Sequence, residues 1–183
     1  MNKIILIISL AIIGLGCAVS HNAVREDQGT INAKAADLKA ALVSLEKTID
    51  EKEAALAAEA AVFYPLKLSD EYKLVRPPVL HNLLVNMGMK ERGLCIHWTE
   101  DLLNRLKDLK LRSFDLYWGV AEAQSLLGLQ HSSVVITAKS RPFEEGIVLD
   151  AWRNSGELFW IRVKDDSYQW KPEQDVFHEN RTD

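Results

Sequence analysis

The order of sequence patterns along the chain predicts an α+β fold, N-terminal helices followed by an antiparallel sheet. Up to about residue 110, apolar residues recur at helical spacing among strong helix formers. The last third changes to short runs rich in Val, Ile and Leu, punctuated by Gly and Ser, which is the pattern of strands joined by turns. Helices first and strands afterwards argue against an alternating βαβ arrangement. The bulk composition suits a folded domain: of 183 residues, 48% are apolar and 26% charged, with only 9 Gly and 5 Pro. Such a chain is neither disordered nor fibrous. Its formal net charge of -4 offers no basic face for nucleic acid.

Lys3 and the apolar run Ile4 to Gly16 read as a signal segment, shorter than the roughly 18 apolar residues of a spanning helix. The run ends Gly14-Leu15-Gly16-Cys17-Ala18, which resembles the lipobox of bacterial lipoproteins. That resemblance implies cleavage before Cys17 and lipidation of its sulfur. By the same family's habit, Ala18 implies an outer-membrane lipoprotein facing the periplasm. Cleavage after Ser20 is the competing reading. Either route exports the chain to the cell envelope and, by removing Lys3, moves the formal charge from -4 to -5.

After a polar stretch, Thr30 to Ala61 contains no Gly or Pro and reads as one long amphipathic helix of roughly 45 Å. Leu38, Leu42, Leu45, Ile49 and Leu56 lie at spacings of 4, 3, 4 and 7, a heptad seam of coiled-coil type. Lys52 and Glu59 interrupt it. Such a helix either holds the body off a membrane and self-associates over residues 30–61, or packs along its own domain. Tyr64-Pro65 is expected to end it. The chain then divides into a signal peptide over 1–17, a polar linker with the long helix over 18–62, and an α+β body over 63–183. Val79 to Met89 reads as a short helix with Leu80, Leu83, Leu84 and Met87 on one face. Leu94 to Lys110 reads as another, with Leu102, Leu103, Leu106 and Leu109 as its buried stripe. Strands are expected over Ser113 to Val120, Ser132 to Ala138, Gly146 to Trp152 and Leu158 to Val163. Ala121 to Leu129 reads as a helical turn or loop, and the tail from Gln174 as polar.

Two cysteines exclude a disulfide scaffold. Export lipidates or removes Cys17, so Cys95 is left as a lone thiol in an oxidising compartment, where it is either buried or kept for its chemistry. Cys95 follows Gly93 at the first turn of a helix, where unpaired N–H groups and the helix dipole favour a thiolate. His131 begins one strand and Asp150 ends the next. If Lys139 to Arg141 form a simple hairpin turn, His131 stands opposite Asp150. A longer loop through Pro142 to Glu145 shifts the pairing toward Asn154. Cys95, His131 and Asp150 thus supply the nucleophile, base and orienting carboxylate of a thiol triad. Such a site is expected in a cleft, away from the packing centre.

The runs Arg92-Gly93-Leu94-Cys95-Ile96-His97-Trp98, Gln130-His131-Ser132-Ser133-Val134-Val135-Ile136 and Val148-Leu149-Asp150-Ala151-Trp152 resemble the papain-like superfamily of cysteine hydrolases. The transglutaminase-like branch is the nearer match, over roughly residues 80–163. The resemblance implies a papain/transglutaminase-like core and cysteine peptidase, amidase or acyl-transfer chemistry on a peptide or protein in the envelope, with no cofactor and no metal. Upstream of Cys95, Asn82 and Asn86 are the nearby amides that could stabilise an oxyanion. Trp98 and Trp152 are candidate substrate contacts, although they read, with Trp160, first as core. His81 and His97 read as structural. A zinc site from Cys95, His97, His131 and Asp150 is a weak chemical rival, because residues i and i+2 of a helix do not share a face. The functional rival is a non-catalytic envelope lipoprotein that uses the same fold for binding or assembly.

Overall fold

The computed structural model describes residues 27–122 and 130–174. The signal segment with Cys17 and Ser20, the connection over 123–129 and the tail beyond 174 lie outside the described residues. Four helices, α1 (Gln28–Val43), α2 (Glu51–Glu71), α3 (Pro78–Asn86) and α4 (Cys95–Asp108), come first. Five strands follow: β1 (Phe114–Glu122), β2 (Gln130–Ala138), β3 (Ile147–Asn154), β4 (Glu157–Arg162) and β5 (Trp170–Pro172). They form one antiparallel sheet in the order β4-β3-β2-β1-β5. The α+β expectation holds. Among the described residues no helix is long and apolar enough to cross a membrane.

The single long helix does not form. The chain breaks between Val43 and Glu51, and Asp50 restarts it as an N-cap, its carboxylate accepting from Lys52 N at 2.7 Å and Glu53 N at 3.2 Å. Asp50 followed by Glu53 is a helix-start signature that outweighs the absence of Gly and Pro. The two helices fold onto each other. Leu38, Leu42 and Ile49 of the seam are buried in the chain's own core, whereas Leu56 is exposed. Nor does Pro65 end α2, which continues six residues past it to Glu71. A mid-helix proline costs about 3 kcal/mol, but Leu68 and Tyr72 beyond it are buried, and each large apolar side chain returns about 1.5–3 kcal/mol. The boundary expected at residue 62 therefore falls inside a helix whose two ends share one core.

That core lies between the helices and one face of the sheet. Trp98, Leu102 and Leu106 of α4 meet Val134, Ile136, Ile147 and Leu149 of the central strands. β2 is buried on both faces, because Val135 joins Phe143, Val148, Val163 and Trp170 in a smaller cluster on the other side. β3 and β4 are joined through Ser155 and Gly156, both at positive φ (56° and 91°), the conformation of a two-residue primed turn. A side chain at Gly156 would also run into Ser69 of α2.

α3 reverses the usual sense of an amphipathic helix. Its apolar residues Val79, Leu80, Leu83 and Met87 are exposed, and its only fully buried side chain is His81. The His81 ring is satisfied on both nitrogens: Nδ1 accepts from Val75 N at 3.1 Å, and Nε2 donates to the Arg92 carbonyl at 2.8 Å. A polar anchor holds this helix down.

Candidate active site

Cys95 is the first residue of α4, and its turn is held by neighbours rather than by a side-chain cap. The preceding residue, Leu94, has no oxygen to cap the helix. Instead His97 Nδ1 accepts from Gly93 N at 3.0 Å and Leu94 N at 3.2 Å, and Trp98 Nε1 donates to the Gly93 carbonyl at 2.9 Å. Gly93 sits at φ 122°, and a Cβ there would lie 2.2 Å from His81 Nε2, so only glycine fits. The first-turn N–H groups of Cys95 and Ile96 have no acceptor within the helix. They are available to an anion at the thiol.

His131 and Asp150 come from adjacent strands but are not opposite one another. The loop from Lys139 to Gly146 is the longer form, with a 3-10 turn over Phe143–Glu145, and the ladder pairs Val134 with Leu149 and Ile136 with Ile147. Continued outward, this register sets Asp150 against Ser133, one diagonal step from His131. The diagonal is within reach of a histidine: His131 Nε2 and Asp150 Oδ2 are 2.7 Å apart. On its other side the ring acts on the half-buried Cys95 thiol and lowers its pKa, while the thiol lies 4.0 Å from the Gln130 carbonyl. With Nε2 engaged by Asp150, Nδ1 is the nitrogen left for the sulfur.

The electrostatics favour charge separation across this pair. Burial pushes the His131 pKa down, but the Asp150 and Cys95 hydrogen bonds outweigh it and bring it up to about 9. Burial likewise pushes the Cys95 thiol up, yet the His131 hydrogen bond and contacts from the Ser132 backbone and side chain hold it below its ordinary value. Both shifts favour thiolate beside imidazolium relative to the neutral pair.

Several residues at this site carried no signal that the sequence reading used. Thr99 Oγ1 donates to the Cys95 carbonyl at 2.9 Å and lies 3.2 Å from Ser132 Oγ, fastening α4 to β2 beside the thiol. Asp150, wholly buried, also accepts from Trp152 N, Arg153 N and Arg153 Nε at 3.0, 3.0 and 3.1 Å. The rings of Trp152, Tyr168 and Trp170 surround the His131 ring at 5.0, 5.2 and 5.5 Å between centroids. The spacing Asp150 to Arg153 is a local signal; Tyr168, just before a three-residue strand, and Trp170, on it, offer none. Asp150 and His131 are therefore part of the packed interior rather than of the expected cleft, and Cys95 is half-buried at its edge.

Of the weaker candidates, Trp98 is core at 2% exposure and does not reach a substrate. Trp152 lines the site, and its Nε1 donates to Asn82 Oδ1 at 3.0 Å, so the Asn82 carbonyl end is already committed. Asn86 is exposed at the end of α3. His97, tied to Gly93 and Leu94, does not join the other three residues, and the described residues contain no group of three or more His, Cys, Asp or Glu able to hold a metal ion. No family model matches the chain, and no match was found among curated proteins or solved structures.

Proposed function

We propose that the chain is an exported cysteine hydrolase or acyltransferase acting on peptide or amide bonds through Cys95, His131 and Asp150, on a papain/transglutaminase-like core, and anchored in the bacterial envelope through lipid on Cys17. The observation that carries this reading is the 2.7 Å pair of His131 Nε2 with the buried Asp150 carboxylate, beside a thiol at a helix start that the imidazole makes more acidic. The Cys95 thiolate attacks the substrate carbonyl carbon, forming a C–S bond and an oxyanion that the Cys95 N–H faces. The oxyanion collapses and the C–N bond breaks, while the His131 imidazolium gives its proton to the departing amine. Water, or a second amine, then attacks the thioester. His131 takes the proton from that nucleophile, and the thiolate leaves with the C–S bond. Asp150 holds the ring in place throughout.

The test is a defined peptide mixture incubated with wild-type chain and with Cys95→Ala, analysed by mass spectrometry for cleavage, deamidation and amine incorporation. Products that appear with wild type and vanish with both Cys95→Ala and His131→Ala are expected. Identical mixtures across all three, together with a Cys95 that iodoacetamide alkylates only on denaturation, would falsify the reading. A second reading, a non-catalytic envelope lipoprotein that binds through the same fold, is favoured by the exposed apolar face of Val79, Leu80, Leu83 and Met87. Their substitution by serine would then abolish binding while leaving Cys95 reactivity unchanged.

A further inference from the structure

The Asp150 carboxylate does not end the line of charges that begins at Cys95. Arg153 donates from Nε to the same Asp150 Oδ2 that His131 holds, at 3.1 Å against 2.7 Å. The outer nitrogens of that guanidinium, Nη1 and Nη2, clasp Asp166 at 3.2 and 2.9 Å. Its plane is fixed between the rings of Phe159 and Tyr168, 4.2 and 4.8 Å from their centroids. Asp166 in turn accepts from Trp170 Nε1 at 2.9 Å, and Trp170 packs on His131. Five groups that alternate in charge when ionised therefore run from the half-buried sulfur into the C-terminal part of the sheet: Cys95, His131, Asp150, Arg153 and Asp166.

We propose that Arg153 is a positioning residue for the Cys95–His131–Asp150 site: by sharing Asp150 Oδ2 with the ring, it sets how much of that carboxylate His131 receives, and Asp166 sets how strongly Arg153 competes. The inference rests on the reading of those three residues as a working unit. The groups that face the ring are Cys95 from α4, Asp150 and Trp152 from β3, Tyr168 before β5 and Trp170 on it, and Arg153 and Asp166 reach it through Asp150. Removing the Arg153 cation leaves Asp150 wholly to His131, which then holds its proton more tightly. Removing the Asp166 anion frees Arg153 to draw on Asp150, and His131 holds its proton less tightly. The two substitutions act with opposite sign. Simple loosening of the site cannot produce that pattern, since it would move both variants the same way.

The experiment follows the His131 resonance of the full-length, ¹⁵N-histidine-labelled chain by NMR against pH, assigned through His131→Gln. Peptide-resolved iodoacetamide labelling of Cys95 over the same range runs in parallel, with circular dichroism to confirm folding. Arg153→Gln is expected to raise the His131 midpoint and Asp166→Asn to lower it, each by about one pH unit. The double variant stays near Arg153→Gln, because Asp166 acts through Arg153, and Arg153→Lys, which keeps the cation, lies between wild type and Arg153→Gln. Shifts of the same sign, or none, in the two single variants overturn the inference while leaving the triad reading in place. If Arg153→Gln does not fold, Asp166→Asn decides alone: a lowered midpoint supports the inference and an unchanged or raised one rejects it. An ordinary wild-type thiol, unmoved by His131→Gln, overturns the triad reading and the inference with it.

Discussion

Two parts of the molecule use the same ingredients to different ends. On the helical side, Arg92 bridges Glu100 and Asp101 at 2.9 Å each and lies over the Tyr72 ring, whose hydroxyl donates to Asp101. On the sheet side, Arg153 bridges Asp150 and Asp166 and lies between Phe159 and Tyr168. Each is an arginine between two carboxylates with aromatic company. The difference is solvent. The Arg92 and Glu100 side chains are 40% and 51% exposed, whereas those of Asp150 and Asp166 are 0% and 2%. In the first cluster water screens the charges, and the arrangement is a clamp between α2, α4 and the turn before Cys95. In the second the charges act on each other through a low-dielectric interior, and the line ends on a thiol. Burial and a nucleophile at one end convert a clamp into a candidate site.

The largest expected difference between the two lies in stability. Asp150→Ala strands His131 and Arg153 without their shared acceptor and should destabilise the chain by about 3–5 kcal/mol, the range for breaking a buried pair. Asp101→Ala should cost about 1 kcal/mol. Urea midpoints of the two variants measure the contrast; equal losses would break it. Asp150→Asn keeps the shape and is the better variant for activity work.

Next in size is thiol reactivity. His131→Ala removes the proton partner and largest favourable influence on the Cys95 thiolate, so iodoacetamide labelling of Cys95 at pH 6.5 should fall at least about tenfold. His97→Ala removes only a helix-terminal acceptor and should leave the pH at which Cys95 becomes reactive unchanged. Comparable losses in both variants would mean that helix order, not the imidazole, governs the thiol.

The pH dependence of stability separates the clusters more finely. His131 titrates at about 9 in the folded chain against 6.5 when unfolded. A raised folded value means that its contribution is complete below pH 6.5 and is lost as pH rises through 9. Wild type should lose on the order of 1–3 kcal/mol between pH 6.5 and 9.5. The lowered Cys95 value works in the opposite sense: its contribution is present above the ordinary thiol value and fades as pH falls. His131→Gln should flatten the alkaline decline. Arg92→Ala should not alter it, because the histidine that Arg92 acts on, His97, is held by burial and by that cation below its ordinary value and so below this window.

How much of this could be read from residues alone differs between the halves of the molecule. Strand positions in the last third were legible because Val134 to Ile136 and Ile147 to Leu149 are apolar runs bounded by turn residues. Cys95 at a helix start was legible from Gly93 and the Leu102, Leu103, Leu106 stripe. The split between α1 and α2 runs against the heptad spacing, which continues through Asp50, because the Asp50 carboxylate caps a new helix there. The hairpin register departs from the simple turn for another reason: Phe143 tucks into the second core cluster and lengthens the turn, a tertiary effect no local rule supplies. The wall of Trp152, Tyr168 and Trp170 depends on β5 pairing with β1 across some fifty residues of chain, and no periodicity announces a three-residue strand.

The smallest expected effect is that of Arg92→Ala, and its smallness is informative. Arg92 makes two ion pairs and lies immediately before Gly93, so a count of contacts would rank it beside Arg153. Its side-chain partners are solvent-exposed or half-buried, and exposed pairs contribute about 0–1 kcal/mol. The part of Arg92 that matters for Cys95 is its backbone carbonyl, which accepts from His81 Nε2 and survives substitution. The turn Gly93-Leu94-Cys95 keeps its His97 and Trp98 bonds as well. Arg92→Ala should therefore shift the urea midpoint by no more than about 1 kcal/mol and leave the pH profile of Cys95 labelling where it was. His81→Ala, which removes the ring from between Val75 and Arg92 and opens space against Gly93, should disturb both. If Arg92→Ala moves the labelling profile and His81→Ala does not, the side chain of Arg92 acts electrostatically on the thiol from the helical side, and the two arginine clusters belong to one site.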